Sequence, residues 1–413
     1  MTGAALADAR AAAEKAARAS YGRLVAILSA RTRDIAASED ALADAFARAL
    51  ERWPEDGVPD QPEAWLLSVA RHRVLDAWRH SRVQDEAAQT LLLVADEIVS
   101  DAPGDAAVPD ERLRLLFVCA HPAIDAAARA PLMLQTVLGL DAARMAGAFL
   151  SAPATLGQRL VRAKARIRAA GIPFEYPRAS DLPRRLSDVL DGIYAAYGTG
   201  WEGVDGADAA QRGLTAEAIE LCRILCALMP QEAEPLGLLA LMLFCESRAG
   251  ARRDADGGYV PLSVQDVSCW NADLRQAAEQ VLRQAAGLNA LGAFQIEAAI
   301  QSAHCARRLG APVPPETMVG LYDGLIALRP SVGAYVSRAC ALAEVQGAEA
   351  GLRELDRLAA GEAANYQPFW AARAHLLGQA GDPTEARRAY ERAAGLSTSP
   401  AIRAYLAGAA GRL

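Results

Sequence analysis

Arg159, Arg162 and Arg166 share one face of a predicted helix, because residues three and four apart are neighbours on a helix surface. The planar guanidinium of arginine binds a phosphate or the edge of guanine through two hydrogen bonds. The segment Pro153–Arg168 carries five cations and no acid, and no Asp or Glu occurs between positions 142 and 174. A surface helix with merely solvated arginines is the alternative. The lack of acids and the turn at 150–153 favour a contact with nucleic acid.

A second basic helix is predicted at Ala64–Arg82, where four arginines stand among apolar residues. Trp65 and Trp78 lie in the same helix. Aromatic rings that stack on unpaired bases, next to cations that neutralise phosphate, suit a single-stranded nucleic acid. Tryptophans in a helix also serve as core residues, and the sequence leaves the two interpretations open.

The segment 83–111 between these helices has eight Asp or Glu and no Lys or Arg. A solvated linker is the ordinary interpretation of such a stretch, although TLLLVADEIV (90–99) could form a short amphipathic helix. Fully extended, 29 residues reach ~100 Å. That reach covers two DNA sites two helical turns apart, which is about 70 Å.

The elements that position these residues are helical, since nearly every segment has helical period and almost none has strand alternation. Ser38 is predicted to cap a helix over 38–52 that ends at Trp53-Pro54. A helix, a tight turn and a second helix with exposed arginines form the layout of a helix-turn-helix. The short helices of this region are predicted at 110–120, 125–138, 141–149 and 154–169.

Residues 181–413 consist of predicted helix pairs with weak self-similarity. The segment FWAARAHLLGQAGDPTEARRAYERAAGL (369–396) spaces bulky residues, small residues and a glycine turn as a tetratricopeptide repeat does. Small residues let helices pack closely and stack into a solenoid. The stretch Ala249–Trp270 interrupts the helices and has no assigned role.

Composition and charge limit the classes of protein to which this chain can belong. The 413 residues are 52% hydrophobic with a net charge of −7, which predicts an ordinary helical protein of two or three domains rather than a chain that binds nucleic acid throughout. Only 112–180 is strongly basic, with ten basic and three acidic residues. The N-terminus reads as a helix rather than a signal peptide, and the longest apolar run, Leu236–Cys245, is too short to span a bilayer. A cytoplasmic protein is expected.

No enzymatic motif stands out: the chain has no phosphate-binding loop, dinucleotide fingerprint or HExxH sequence. Seven scattered cysteines without a CxxC pair favour reduced thiols. Cys222 with Cys226, or His304 with Cys305, could be imagined as metal ligands, but buried thiols are the better interpretation. The sequence predicts no catalytic residue, metal or cofactor.

Longer strings carry a family resemblance. SEDALADAFARALERWPEDGVPDQPEAWLLSVARHRVLDAWR (38–79) resembles region 2 of extracytoplasmic-function RNA polymerase sigma factors. Residues 112–174, with Q-R-L-V-R-A-K and I-R-A-A-G-I-P, are similar to region 4 of a subgroup that also carries a C-terminal tetratricopeptide-like domain. The resemblance implies an all-α chain: region 2 at 1–82, an acidic linker at 83–111, a region 4 helix-turn-helix at 112–174 and a helical-repeat solenoid at 181–413.

The resemblance also implies roles for individual positions. Partners would be core RNA polymerase, through the clamp of its largest subunit and the flap of its second subunit, and promoter DNA. The clamp would be bound by Asp40, Leu42, Asp44, Ala45 and Phe46. The −10 element would be engaged by Trp65, Arg71, His72, Arg73, Asp76, Trp78 and Arg79. The −35 element would be read by Thr155, Gln158, Arg159, Arg162, Lys164 and Arg166.

We therefore expect a dissociable sigma factor that binds core polymerase, recognises −35 and −10 elements and opens the promoter. The acidic linker would thread toward the polymerase channels, and the C-terminal domain would regulate in cis or bind a partner protein. The alternative is a DNA-binding regulator or scaffold that acts mainly through its solenoid and has no sigma activity. Residues 38–82 discriminate between the two, since a plain regulator does not need them.

Overall fold

A computed structural model describes residues 3–82, 110–146, 149, 151–178, 180–202, 209–358 and 361–413. These ranges consist of helices and connecting loops. They contain no strand, and their one β-type pairing is an isolated bridge between Arg253 and Tyr259. The all-α prediction is thereby confirmed for the described part of the chain. Most of the acidic segment, with the possible helix at 90–99, lies outside the described residues. The chain forms two compact units, Met1–Ile224 and Leu225–Leu413.

The first unit contains the two basic helices. Its boundary with the second unit falls inside the last helix named here. In the described ranges its helices are α1 (Gly3–Thr32), α2 (Ile35–Asp56), α3 (Pro62–Arg82), α4 (Glu111–Cys119), α5 (Ala126–Leu138), α6 (Ala142–Met145), α7 (Pro153–Ala169), α8 (Leu182–Glu202) and α9 (Ala209–Leu228).

Helix α2 is longer at both ends than the sequence predicted. Its N-cap is Asp34, whose side chain accepts a hydrogen bond of 3.1 Å from the backbone N–H of Ala37. Ser38 is therefore not the cap: it is buried in the first turn and donates to the carbonyl oxygen of Asp34. The helix continues through Pro54 and ends where Gly57 adopts a φ of +86°, a conformation that favours glycine.

Helix α1 joins the two halves of the first unit. It packs on α2 and α3, and also on α4 and α5. Its core side chains include Leu24, Val25 and Leu28, all nearly inaccessible. The α1–α5 crossing is so close that a Cβ placed on Gly22 would overlap the carbonyl oxygen of Val137. Burial along both sides of α1 fixes α4 and α5 against α2 and α3.

Helix α8, which the sequence placed in a separate C-terminal domain, packs on α4 and α5 of the first unit. Arg129 pairs with Asp188, and Gly192 lies so close to Met133 that a side chain there would meet its sulfur. Farther along, Arg112 pairs with Glu217 of α9. The compact units thus divide at 224/225, about fifty residues after the division that the sequence suggested.

The second unit is a succession of helices, each packed on the next. Helix α10 also packs on α12, and α14 on α16, so alternate helices meet as they do in stacked helix pairs. The helices are α10 (Ala233–Glu246), α11 (Ala272–Gly287), α12 (Ala293–Arg308), α13 (Pro315–Leu328), α14 (Val332–Gln346), α15 (Ala348–Asp356), α16 (Gln367–Gln379), α17 (Pro383–Leu396) and α18 (Pro400–Gly411).

The segment between α10 and α11 is an ordered loop with three short 3₁₀ turns. The Asp254 side chain accepts hydrogen bonds from the backbone N–H groups of Asp256 and Gly258, which closes a tight turn. At the tip of the loop, the rings of Tyr259 and Tyr405 meet edge-to-face, with their centroids 5.4 Å apart. The loop therefore joins the start of the second unit to α18, its final helix.

Candidate nucleic-acid interface

Helix α7 has a buried side and an open side. Leu156, Leu160 and Ile167 are buried and hold the helix against its neighbours α5 and α6. The short helix α6 is capped by Asp141, whose carboxylate accepts from the N–H of Arg144. The described residues thus place two successive helices in contact, as a helix-turn-helix requires.

The open side of α7 carries most of the residues predicted to read the −35 element. Thr155, Gln158, Arg162 and Arg166 are exposed, and Arg159 is half-buried at the edge of the same side. Val161 stands among them with 68% of its surface exposed. Exposed guanidinium groups next to an amide and a hydroxyl can donate to phosphates and base edges.

Lys164 is not part of this open side. It lies on the flank of α7 that faces helix α2, where its ammonium group pairs with the carboxylate of Glu39. The two side chains are only 11% and 16% exposed. Four residues further on, Arg168 pairs with Asp34 at 3.3 Å. The arrangement therefore separates Lys164 from the other five predicted −35 residues.

Burial at this contact changes the ionisation of Glu39. Desolvation raises the pKa of its carboxyl group, and the charge and hydrogen bond of Lys164 only partly offset the effect. Burial raises the pKa of the Tyr21 hydroxyl group on α1, and the negative charges of Glu39 and Asp40 add to the effect. The contact between α2 and α7 is thus a low-dielectric site.

On α3, the aromatic residue predicted to stack on bases is partly engaged by the fold. The ring of Trp65 meets the buried Trp53 edge-to-face with centroids 5.5 Å apart. Trp65 is itself half-buried, so one part of its ring packs and another faces outward. The packing on Trp53 agrees in part with the core interpretation, and the contact of Trp65 with bases stays a prediction.

The polar residues of α3 form an exposed patch. Arg73 donates from Nε and Nη2 to the same oxygen of Asp44, at 2.9 and 2.6 Å. His72 is exposed, and its Nδ1 lies 2.8 Å from the carbonyl oxygen of Ser68. Asp76 is exposed as well. The side chains of Trp78 and Arg79 are outside the described part of the chain.

Arg71 lies deeper. It is half-buried close to Arg31 of α1, and burial together with that like charge lowers the pKa of its guanidinium group. The Nε atom of Arg71 has no hydrogen-bond partner among the described residues.

The residues predicted to bind the polymerase clamp divide between surface and core. Asp40 is exposed, while Asp44 and Phe46 are partly so. Leu42 and Ala45 are fully buried. Of the five, therefore, only Asp40, Asp44 and Phe46 are reached by solvent.

The segment that holds α2 and α3 matches a known family. Residues 17–83 match the model of sigma-70 region 2, from the middle of α1 to the residue after α3. This part of the chain is thus similar to region 2 of sigma-70 factors, which supports membership of the sigma-factor family. The match covers every residue predicted here for the clamp and for the −10 element. Sigma factors are non-enzymatic initiation factors that act with core RNA polymerase on promoter DNA.

Two further matches extend beyond this segment. Residues 185–286 match a family of unknown function, DUF6596, which extends from α8 through α11. An uncharacterized protein of Rhizobium meliloti (strain 1021) is 37% identical over 379 residues, covering 91% of this chain and 89% of that protein. No solved structure matches the chain.

In the part of the chain that the structure describes, the cysteines show no metal-binding arrangement. Cys119, Cys222 and Cys305 are buried, and Cys269 is exposed. Among the described residues, no group of three His, Cys, Asp or Glu side chains could hold a metal ion. In the same ranges, no helix combines the length and the apolar character needed to cross a membrane.

Two acids of the acidic segment, Asp110 and Glu111, lie at the start of α4, where Glu111 pairs with Arg114 at 2.8 Å. Asp110 caps α4 and accepts hydrogen bonds from the backbone and side chain of Arg112. Burial would raise the pKa of this carboxyl, but the hydrogen bonds and charge of Arg112 outweigh it, so the pKa is lowered. The other six acids lie at 83–109, outside the described residues.

Sequence reasoning missed the partners of the basic helix. Asp34, the N-cap of α2, and Glu39 in its first turns were given no partner on α7, although they pair with Arg168 and Lys164. A signal was available, since Lys164 and Arg168 lie four apart and on the flank opposite Arg159 and Arg162. That spacing indicates a second cationic flank but does not identify which carboxylates meet it.

Proposed function

We propose that the chain is a dissociable sigma factor of the extracytoplasmic-function type, which directs core RNA polymerase to promoters with separate −35 and −10 elements. Helix α2 would dock on the clamp of the largest subunit. Helix α3 and the loop before it would engage the opened −10 element, and α7 would lie in the −35 major groove. As a polymerase subunit the protein would act in the cytoplasm.

One observation carries this proposal: the chain has both a segment that matches region 2 and a second, separate basic helix, α7. Region 2 alone accounts for α1 to α3. The open side of α7, with Gln158, Arg162 and Arg166 exposed, supplies the duplex-reading surface that a two-part promoter needs. The half-buried Trp65 beside exposed cations suits separated strands.

For the second unit we propose a tetratricopeptide-like helical array that regulates the factor in cis or binds a protein partner. Its successive packed helices and alternate contacts support an array of stacked pairs. The flap of the second polymerase subunit would contact the helices around α4 to α7.

In vitro transcription with core polymerase tests the main proposal. The template is a pool of duplex DNA with randomised promoter regions, because the cognate promoter is not defined. The full chain should select fragments with two fixed-spacing sequence elements and yield transcripts from them. Arg162→Ala should reduce initiation at least tenfold on the selected promoters. Arg223→Ala, at an exposed arginine of α9, is the matched control and should leave initiation unchanged.

The alternative, a DNA-binding regulator without sigma activity, gives a different result. Such a protein would bind duplex fragments without polymerase and would not associate with the core enzyme. Duplex binding together with no transcripts and no association would refute the proposed function.

A further inference from the structure

Arg248, which follows α10 in the second unit, is a buried cation with neutral partners. Only 7% of its surface is exposed. Its Nε atom donates to the carbonyl oxygen of Phe244 at 3.4 Å, and Nη2 donates to the amide oxygen of Gln301 on α12. Nη2 also lies 4.0 Å from the sulfur of Cys245. Within the described part of the chain, none of the hydrogen bonds or ion pairs of this guanidinium group involves a carboxylate.

Other arginines at helix contacts of this unit pair with acids. Arg307 of α12 pairs with Glu344 of α14 at 2.6 Å, and Arg373 of α16 pairs with Asp356 of α15. Both arginines are less buried than Arg248. Burying a charge without an opposite charge costs much free energy. The most buried of these three cations is therefore the one that most needs a counter-ion.

The surroundings of Arg248 are also incomplete in hydrogen bonding. Trp270, at the end of the loop between α10 and α11, has its ring centroid 6.0 Å from the Cζ atom of Arg248. That distance is at the outer limit of a cation–π contact. The buried Nε1 atom of Trp270 has no hydrogen-bond partner among the described residues. Native proteins rarely leave such groups unpaired, so the protein's own atoms do not complete this site.

One edge of the Arg248 guanidinium group is open. Nη1 makes no hydrogen bond within the described ranges, and unlike Nε1 of Trp270 it is not sealed from solvent. The two Nη atoms form a planar fork that can donate parallel hydrogen bonds to two oxygens of one carboxylate or phosphate group. Since little of the residue is exposed, the fork is accessible to a single oxyanion group rather than to a broad charged surface.

The electrostatic field around this fork is positive. Burial lowers the pKa of His304 to about 4, and the charges of Arg248 and Arg307 add to the effect, while Glu344 opposes it. The charge of Arg248 also acts on the hydroxyl group of Tyr259 in the loop. Glu344, the acid that acts on His304, already pairs with Arg307. An anion at the open edge of Arg248 therefore meets a favourable field.

We propose that Arg248 is the centre of a binding site for an oxyanion, a carboxylate or phosphate group, between α10, α12 and the loop that ends at Trp270. The anion binds the open edge of the guanidinium group and supplies the negative charge that the chain itself does not. The site goes beyond the proposed function and is independent of it, because it lies in the second unit and its test needs neither DNA nor polymerase.

Isothermal titration calorimetry of the full-length chain tests the site. Inorganic phosphate, acetate and a short polyglutamate peptide are separate probes at constant ionic strength, and they distinguish free phosphate, free carboxylate and the acidic side chains of a protein. At least one probe should bind at a single site. Arg248→Gln removes the fork and should weaken that probe at least tenfold. Arg283→Gln, at an exposed arginine of α11, is the matched control and should leave binding unchanged.

A carboxylate built into the chain gives an independent test. Gln301→Glu replaces the amide that meets Nη2 by a charged group of the same size. It should abolish binding of the probe, because the guanidinium group then has its own counter-ion, and it should raise the unfolding temperature measured without any probe. Gln280→Glu, the same change at an exposed position of α11, should leave binding unchanged and shift the unfolding temperature much less.

The opposite results overturn the site. A folded parent chain that binds none of the three probes refutes it. Equal binding by the parent and by a folded Arg248→Gln chain shows adventitious surface binding only. Should Arg248→Gln fail to fold, Gln301→Glu decides alone: unchanged binding together with an unchanged unfolding temperature would show that the guanidinium group needs no counter-ion.

Discussion

Nη1 of Arg129 donates a hydrogen bond of 2.8 Å to Oδ2 of Asp188, which joins α5 to a helix 59 residues further along the chain. Both side chains are largely sheltered from solvent. Together with the close approach of Gly192 to Met133, this pair makes α8 a structural part of the first unit. The unit that carries both basic helices therefore includes residues well beyond 174.

The first prediction concerns where the chain can be shortened. A chain ending at residue 180 loses α8 and α9 and exposes the apolar sides of α4 and α5, so it should unfold at lower temperature and aggregate. A chain ending at residue 230, just after α9, should stay folded. Thermal unfolding and size-exclusion chromatography measure both. Equal stability of the two chains would contradict the assignment of α8 and α9 to the first unit.

The second prediction concerns the α1–α5 crossing. Gly22→Ala should destabilise the protein by about 1–3 kcal/mol, because the added Cβ would meet the Val137 backbone, which cannot easily move. Gly213→Ala in α9 is the control, since nothing lies within 4 Å of its Cβ position. The control should stabilise α9 by up to about 1 kcal/mol. Urea unfolding midpoints give both values, and equal shifts would argue against the close crossing.

The third prediction concerns acid stability of the second unit. Burial, aided by Arg248 and Arg307, lowers the pKa of His304 to about 4. The folded state thus keeps this imidazole neutral while the unfolded chain binds a proton below pH 6.5. The contribution to stability is fully present above pH 6.5 and is lost as the pH falls toward 4. The loss should be roughly 2–3 kcal/mol.

Unfolding midpoints between pH 4 and 7 check this third prediction. His304→Gln should flatten the dependence over that range. His375→Gln, at an exposed histidine of the same unit, should leave it in place. A parent chain whose stability is constant from pH 7 to 4 would show that His304 is not held neutral.

The fourth prediction separates stability from function at α2. Asp44 and Arg73 are close to half exposed, so Asp44→Asn should cost less than about 1 kcal/mol of unfolding free energy. Initiation should nevertheless fall several-fold, because Asp44 holds Arg73 and belongs to the proposed clamp surface. Asp56→Asn removes another exposed pair of α2, that with Arg52, and should leave initiation unchanged. Equal transcription by both variants would remove Asp44 from the proposed surface.

Local periodicity was sufficient to predict most helices and the open side of α7. It also contained the information that Leu42 and Ala45 are buried, since they continue the apolar row of Ala41 and Ala49 along α2. The family resemblance, by contrast, assigns both residues to a partner surface, because it carries roles over by position and takes no account of this apolar row.

Pairings between residues that are far apart in the chain could not be predicted from the sequence. Lys164 and Glu39 are 125 positions apart, and nothing local to either residue indicates the other. The same holds for Arg129 and Asp188, which decide where the first unit ends. Such contacts depend on the tertiary packing of α1, α5 and α8, and one-dimensional patterns do not encode which faces meet.

The contact between Tyr259 and Tyr405 has a consequence for cooperativity. In an array where each helix touches mainly its neighbours, the terminal helix frays first and unfolding proceeds inward. Here the last helix is tied to a loop 146 positions earlier in the chain. Fraying of α18 must therefore break a long-range contact, so the second unit should melt as one block rather than helix by helix.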